Sequence, residues 1–160
     1  KQMSVSNMAL SRLDNLDRQV ILDHASYPHH HGTLGAGSHK VEVHNPTCGD
    51  IITLEVQLNG DIIENVAFSG HGCSISTASA SMMTDVIIGK TLAEASELSE
   101  IFSGLVQGQE VDADRLKDGA ILSGVAKFPA RIKCATLGWK ALDQIIAHPE
   151  IEEYQEKINE

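Results

Sequence analysis

Three cysteines carry the reactive chemistry of this 160-residue chain: Cys48, Cys73 and Cys134. They lie 25 and 61 residues apart, so no C-x-x-C pair exists, which excludes zinc-ribbon and thioredoxin-type sites. A site that uses more than one of them has to be assembled by the fold from separate segments. Cys48 sits in Asn45-Pro46-Thr47-Cys48-Gly49-Asp50, turn chemistry that places the thiol at a loop tip. Asp50, two residues on, points the same way in extended backbone; it reads equally as a turn former bonded to its own backbone. Three thiolates and one carboxylate make a tetrahedral set for zinc. Iron–sulfur clusters usually take four cysteines, so a cluster here needs a non-cysteine ligand or a second chain.

Cys73 follows Gly70-His71-Gly72, where glycine admits close backbone approach, and stands where a helical pattern begins. The positive end of a helix dipole favours its thiolate, which suits a metal ligand or a nucleophile. The alternative is a small buried residue at a helix start. Cys134 lies inside a helical pattern and on its own reads as a packing residue. A metal-free cysteine nucleophile would need a histidine close to one thiol, and His71 is the nearest in sequence. The triplet His29-His30-His31 reads as a solvated loop, because nothing nearby in the chain orients the rings. Gly35-Ala36-Gly37 neither follows a strand nor opens a helix, so it is not a phosphate loop.

The elements that must position these residues follow from periodicity. Ser11 to Ser26 is helical, with Leu13, Leu16, Val20 and Ala25 at helical spacing and Pro28 as the stop. Lys40–His44, Asp50–Leu58 and Ile62–Ser69 alternate as strands, and Asn59-Gly60 predicts a type I′ hairpin turn. Cys73 to Ile88 is a helix whose Ser76, Thr77, Ser79, Ala80 and Ser81 permit close packing to a neighbour. Thr91 with Glu94 forms a capping box for a helix from Leu92 to Leu105. Gly104 to Gly124 is weaker, with a short helix over Asp114–Leu122. Pro129 opens the last long helix, whose stripe is Ile132, Ala135, Trp139, Leu142 and Ile146. Pro149 ends it, and 149–160 is an acidic tail with at most a helical turn or two. The order of elements predicts an α+β fold, an antiparallel three-stranded sheet with helices packed on one face. A single domain spans 8–148. Lys1 is not an initiator, so 1–7 reads as an added or disordered lead, with Met8 as the natural start.

Hydrophobic residues make up 42% and charged residues 21%, which excludes global disorder. Twelve basic against 22 acidic residues give a net charge of −10, which argues against nucleic-acid or anionic-membrane partners. No run approaches the ~18 apolar residues of a membrane span. The first residues lack an apolar signal core, so the expectation is a cytoplasmic protein with reduced thiols. Nothing in the sequence demands more than a monomer.

Three segments together resemble a known family. Asn45-Pro46-Thr47-Cys48-Gly49-Asp50, then Gly70-His71-Gly72-Cys73-Ser74-Ile75-Ser76, then Arg131-Ile132-Lys133-Cys134-Ala135 resemble, in order, the three cysteine motifs of the iron–sulfur assembly proteins IscU, NifU (N-terminal part) and SufU. The similarity runs from about Leu16 to Ile146. Lys133 stands where IscU-type proteins carry a histidine, and Ala126-Lys127-Phe128-Pro129-Ala130 where they carry a chaperone-recognised Leu-Pro-Pro-Val-Lys. With the extra stretch Gly104–Gly124, these departures favour the SufU branch. The resemblance implies an IscU/SufU-like fold and a zinc site of Cys48, Asp50, Cys73 and Cys134. It also implies docking on a pyridoxal-phosphate cysteine desulfurase of the SufS type, and transfer of persulfide sulfur to Cys48 for downstream iron–sulfur assembly proteins. Arg131, one helical turn before Cys134, is expected to orient or stabilise that site. The alternative that the resemblance leaves open is a scaffold with a transient iron–sulfur cluster on the same residues; outside the family, a purely structural zinc domain or a cysteine hydrolase.

Overall fold

The computed structural model describes residues 15–150 and the backbone of 153–157. Residues 11–14 of the expected first helix and the lead 1–7 lie outside the described residues. In chain order the elements are α1 (Asn15–Ser26), β1 (His39–Asn45), β2 (Asp50–Asn59), β3 (Ile62–His71), α2 (Ser74–Ile87), α3 (Leu92–Val106), a 3₁₀ segment (Ala113–Lys127), α4 (Pro129–Ala147) and β4 (Glu153–Lys157).

The antiparallel meander β1-β2-β3 forms as alternation predicts. Val41, Val43, Ile52, Leu54, Val56, Val66 and Phe68 face a common core. The turn between β2 and β3 differs in detail. Asn59 pairs with Ile62, so the two loop residues are Gly60 and Asp61, one position later than the Asn-Gly signal. Gly60 alone has a positive φ, 65°, the requirement of a type II′ rather than a type I′ turn. A fourth strand joins where the sequence reading expects a tail or a helical turn: β4 pairs parallel with β1, giving the order β3-β2-β1-β4. Short polar residues such as Glu153 and Gln155 carry no alternation that would announce this strand; the free edge of β1 recruits it. At the other edge Phe68 exchanges backbone bonds with the histidine loop: its N–H donates to the His30 carbonyl (2.9 Å), and Gly32 N–H donates to its carbonyl (2.8 Å).

α4 lies across β1 and β2, and α2 packs between α4, α1 and β3. The small residues of α2 work as packing residues. Ser79 donates to the Ala135 carbonyl on α4 (2.5 Å), and a Cβ at Gly138 would sit 3.2 Å from the Ala80 Cβ. Glu55, which alternates with the core residues Leu54 and Val56, is nonetheless buried, because the loop before β1 folds over it. Leu34 N–H, Gly35 N–H and the Ser38 hydroxyl all donate to its Oε1 at 3.2–3.3 Å, which offsets desolvation. The capping box on α3 is present, with both Thr91–Glu94 bonds formed. The 3₁₀ segment is longer than the predicted 114–122 helix and is broken at Lys117 (φ 52°, ψ −125°); Leu116, Leu122 and Val125 anchor it. Trp139 on α4 stacks on Phe102 of α3, with ring centroids 5.2 Å apart. Among the described residues no helix is long and apolar enough to cross a membrane.

Candidate metal centre

The β1–β2 loop supplies the first thiol. Asn45 and Asp50 face each other across the ladder, and the four residues between them close on the Asn45 carbonyl. Cys48 N–H (3.2 Å) and Gly49 N–H (2.8 Å) both donate to it. Gly49 takes φ 76°, the left-handed conformation that lets the chain re-enter β2. Cys48 is thereby held half-buried at the loop tip. Asp50 is buried, and its carboxylate does not bond its own turn. Oδ1 accepts from Cys73 N–H at 3.1 Å, and Oδ2 is 4.0 Å from Cys73 Sγ. Cys73 is the N-cap of α2, but its side chain makes no cap bond. The Asp50 carboxylate serves the helix start instead, where the free N–H groups and dipole favour negative charge. Gly72 is what lets it reach. A Cβ there would lie 2.7 Å from Asp50 Oδ1 and closer still to Ser76 Oγ.

The third thiol arrives on α4. Cys134 Sγ is 3.4 Å from Cys48 Sγ, too far for a disulfide bond, and all three cysteines are free. One turn earlier, Arg131 Nη1 donates toward Cys134 Sγ at 3.5 Å, while its Nε is buried without a partner. Cys48 Sγ, an Asp50 carboxylate oxygen and Cys134 Sγ all lie within 4.8 Å of one another, and Cys73 joins through Asp50 and Cys134. The four residues that the family resemblance implies are thus brought to one place from three chain segments. His71 is exposed at the end of β3 and is not among these grouped atoms, which removes support for a cysteine–histidine nucleophile.

The thiols differ electrostatically. The hydrogen bond from Cys134 lowers the Cys73 pKa to about 6, against burial and the Asp50 charge, so of this pair Cys73 is the member that favours the thiolate. Cys134 is pushed up, because it shares its proton with Cys73 and is buried beside that charge. Burial works against the Arg131 charge, but the neighbouring cysteines outweigh it and raise its pKa. Fully deprotonated, three thiols and one carboxylate carry four negative charges; a divalent cation and Arg131 offset three. Soft sulfur donors with one oxygen suit zinc, whose thiolate ligands in a tetrahedron stand ~3.8 Å apart. The Cys48–Cys134 separation of 3.4 Å lies close to that. The donor set therefore fits zinc.

The histidine triplet is solvent-exposed, as the sequence reads, but its rings are oriented, which the sequence reading does not expect. His29 Nδ1 lies 2.7 Å from Asp85 Oδ2, His30 Nδ1 lies 2.9 Å from Thr84 Oγ1, and His31 stands edge-on to Phe68. The orienting groups come from α2, more than fifty residues away, where adjacency in sequence gives no sign of them. His24, buried between Ser81 and Asp118, carried no signal beyond its place on the first helix.

A fold of this topology with a three-thiol, one-carboxylate centre at the sheet end defines a class, and the comparisons agree. The family model of the NifU-like N-terminal domain matches residues 16–157, and the chain belongs to that family of iron–sulfur cluster assembly proteins. It is 55% identical over 140 residues to the iron–sulfur cluster assembly scaffold protein IscU of Streptococcus pyogenes serotype M1, covering 87% of each chain. It is 53% identical over 141 residues to the zinc-dependent sulfurtransferase SufU of Bacillus subtilis, covering 88% of this chain and 95% of that one. A crystal structure assigned to a SUF-system assembly scaffold, FiSufU of Fervidobacterium islandicum, superposes with a TM-score of 0.71 at 34% identity, over 80% of this chain and 94% of the other.

Proposed function

We propose that the protein is a zinc-dependent sulfurtransferase of iron–sulfur cluster assembly, which accepts persulfide sulfur on Cys48 from a cysteine desulfurase of the SufS type in the cytoplasm and passes it to downstream assembly proteins. The observation that carries this reading is the asymmetry of the centre: Cys134 is held within α4 and Cys73 at the N-cap of α2, while the third thiol, Cys48, sits at a loop tip. Its zinc ligands are Cys48, Asp50, Cys73 and Cys134. Zinc bound there supplies charge that keeps the thiols deprotonated without redox chemistry of its own. Cys48 is the acceptor. Its thiolate attacks the outer sulfur of the donor's persulfide; the new S–S bond forms on Cys48 as the donor's S–S bond breaks, and the donor leaves as a thiolate. Arg131 stabilises the anionic sulfur cluster from α4. Asp50 holds the α2 N-terminus against the Cys48 loop.

A second reading is a scaffold on which an iron–sulfur cluster is built, favoured by the scaffold function named for the S. pyogenes relative. Lys133 stands beside Cys134 and supplies no cluster ligand comparable to histidine. Elemental analysis of anaerobically purified protein with a visible spectrum separates the two. About one zinc per chain and no colour supports sulfur transfer; iron with matching sulfide and a brown colour supports the scaffold and overturns the proposal.

A further inference from the structure

We propose that the chain carries a second divalent transition-metal site, built from His24, His29 and Asp85 with Asp118 beside it, separate from the cysteine centre. This site is independent of sulfur transfer at the cysteine centre. Pro28 stops α1 and turns the chain back over α2, where His29 N–H donates to Ser81 Oγ at 2.7 Å. This brings the rings of His24 and His29 side by side, with centroids 4.5 Å apart. One nitrogen of each ring and one Asp85 oxygen lie within 4.8 Å of one another. Asp118 Oδ2 is 3.0 Å from His24 Nε2. His24, His29 and Asp118, though not Asp85, also line an open cavity of about 290 Å³ with Val20, Asp23 and Tyr27, which leaves room for water on that side of the ion.

The buried member is wired to accept this role. His24 is 4% exposed, and its Nδ1 lies 2.7 Å from Ser81 Oγ. A hydroxyl can donate or accept, so Ser81 satisfies Nδ1 in either tautomer and leaves Nε2, which faces Asp118 Oδ2, able to exchange that contact for a shared cation. His30, bonded to Thr84 Oγ1 and 3.6 Å from Asp85 Oδ1, flanks the carboxylate in the manner of outer-shell support. Imidazole with carboxylate suits zinc, nickel or copper rather than magnesium or calcium. Tetrahedral zinc–nitrogen bonds put ligand atoms ~3.3 Å apart. His29 and Asp118 are each more than half exposed and can turn to close that distance. Asp85 lies twelve residues beyond Cys73, the N-cap of α2, and so about 18 Å along the axis at 1.5 Å per residue, and the two centres share no ligand.

The test is metal titration of the full, tag-free, metal-stripped chain, with Co²⁺ followed optically and Zn²⁺ counted by elemental analysis after dialysis. The proposal expects two ions per chain, one with near-ultraviolet thiolate charge transfer and one with weak visible bands alone. Alkylating the cysteines is expected to abolish the charge-transfer band and leave the second ion in place. His29→Ala and Asp85→Asn are expected to reduce two ions to one with that band unchanged, and circular dichroism reports whether each variant folds. An alkylated chain that retains no ion, or folded variants that keep both ions, overturns the proposal. An alkylated chain that keeps one ion when the unmodified chain shows no thiolate band supports this site and contradicts the cysteine zinc site.

Discussion

Gly72→Ala is expected to weaken the proposed zinc centre without replacing any of its four ligands. A Cβ at this position would meet Asp50 Oδ1 at 2.7 Å, below any ordinary Cβ contact, so the carboxylate must retreat by several tenths of an ångström. Gly72 does not occupy the left-handed region, so alanine brings no backbone strain of its own. The bond at stake is the one from Cys73 N–H to Asp50 Oδ1, 3.1 Å long and partly buried. A hydrogen bond to a charged group is worth about 1.5–3 kcal/mol, which converts to a loss of about ten- to a hundredfold in zinc affinity. The assay is competition with a chromophoric chelator at fixed pH. In an Asp50→Ala background the carboxylate is already gone and only the Ser76 hydroxyl, the end of a rotatable side chain, has to move, so the same substitution should change affinity by much less than in the parent. A Gly72→Ala protein that binds zinc within about twofold of the parent refutes the view that this glycine exists to admit Asp50.

Three further outcomes follow from the packing and electrostatics. Gly138→Val should lower stability by about 1–3 kcal/mol through overpacking, because even a Cβ there is 3.2 Å from Ala80; thermal unfolding reads this, and Gly138→Ala should be nearly neutral since helix propensity offsets the contact. Asp143→Asn should stabilise the protein near neutral pH. Burial raises the Asp143 pKa above the ordinary 3.8, so folding favours its protonated form, and that stability is present below 3.8 and lost as pH rises through the raised value. Asparagine keeps the bond from Ser99 and cannot ionise, so the gain should vanish at pH 3; equal gains at both pH values contradict the assignment. Cys48→Ser should retain the fold and the circular dichroism spectrum while a desulfurase assay shows no stimulation by the variant.

Much of the fold was legible because its signals are local. Alternation marked β1 to β3, Thr91 and Glu94 announced a cap that forms as written, and Pro129 and Pro149 bracket α4. The turn at Gly60-Asp61 slipped by one residue because register there is set by the extra residue of β3, a bulge with no signature of its own. β4 was invisible because a parallel edge strand is specified by the partner it joins, not by its own periodicity. The cysteine centre was legible only as a set of motifs; no local reading joins Cys134 to Cys48, which lie 86 residues apart in sequence and 3.4 Å apart in space. The histidines failed for the same reason in reverse. Their partners Ser81, Thr84 and Asp85 sit on α2, so a loop that reads as solvent-facing is oriented by a helix packed behind it.

The most direct test of sulfur transfer is to locate the sulfur. The zinc-loaded chain is incubated with a cysteine desulfurase and cysteine, separated from the donor, alkylated without reductant and mapped by peptide mass spectrometry. The account predicts one added sulfur atom on the peptide that holds Cys48, and unmodified Cys73 and Cys134. Added sulfur on Cys73 or Cys134 with Cys48 unmodified, or none on any of the three while the donor's persulfide is discharged, contradicts it.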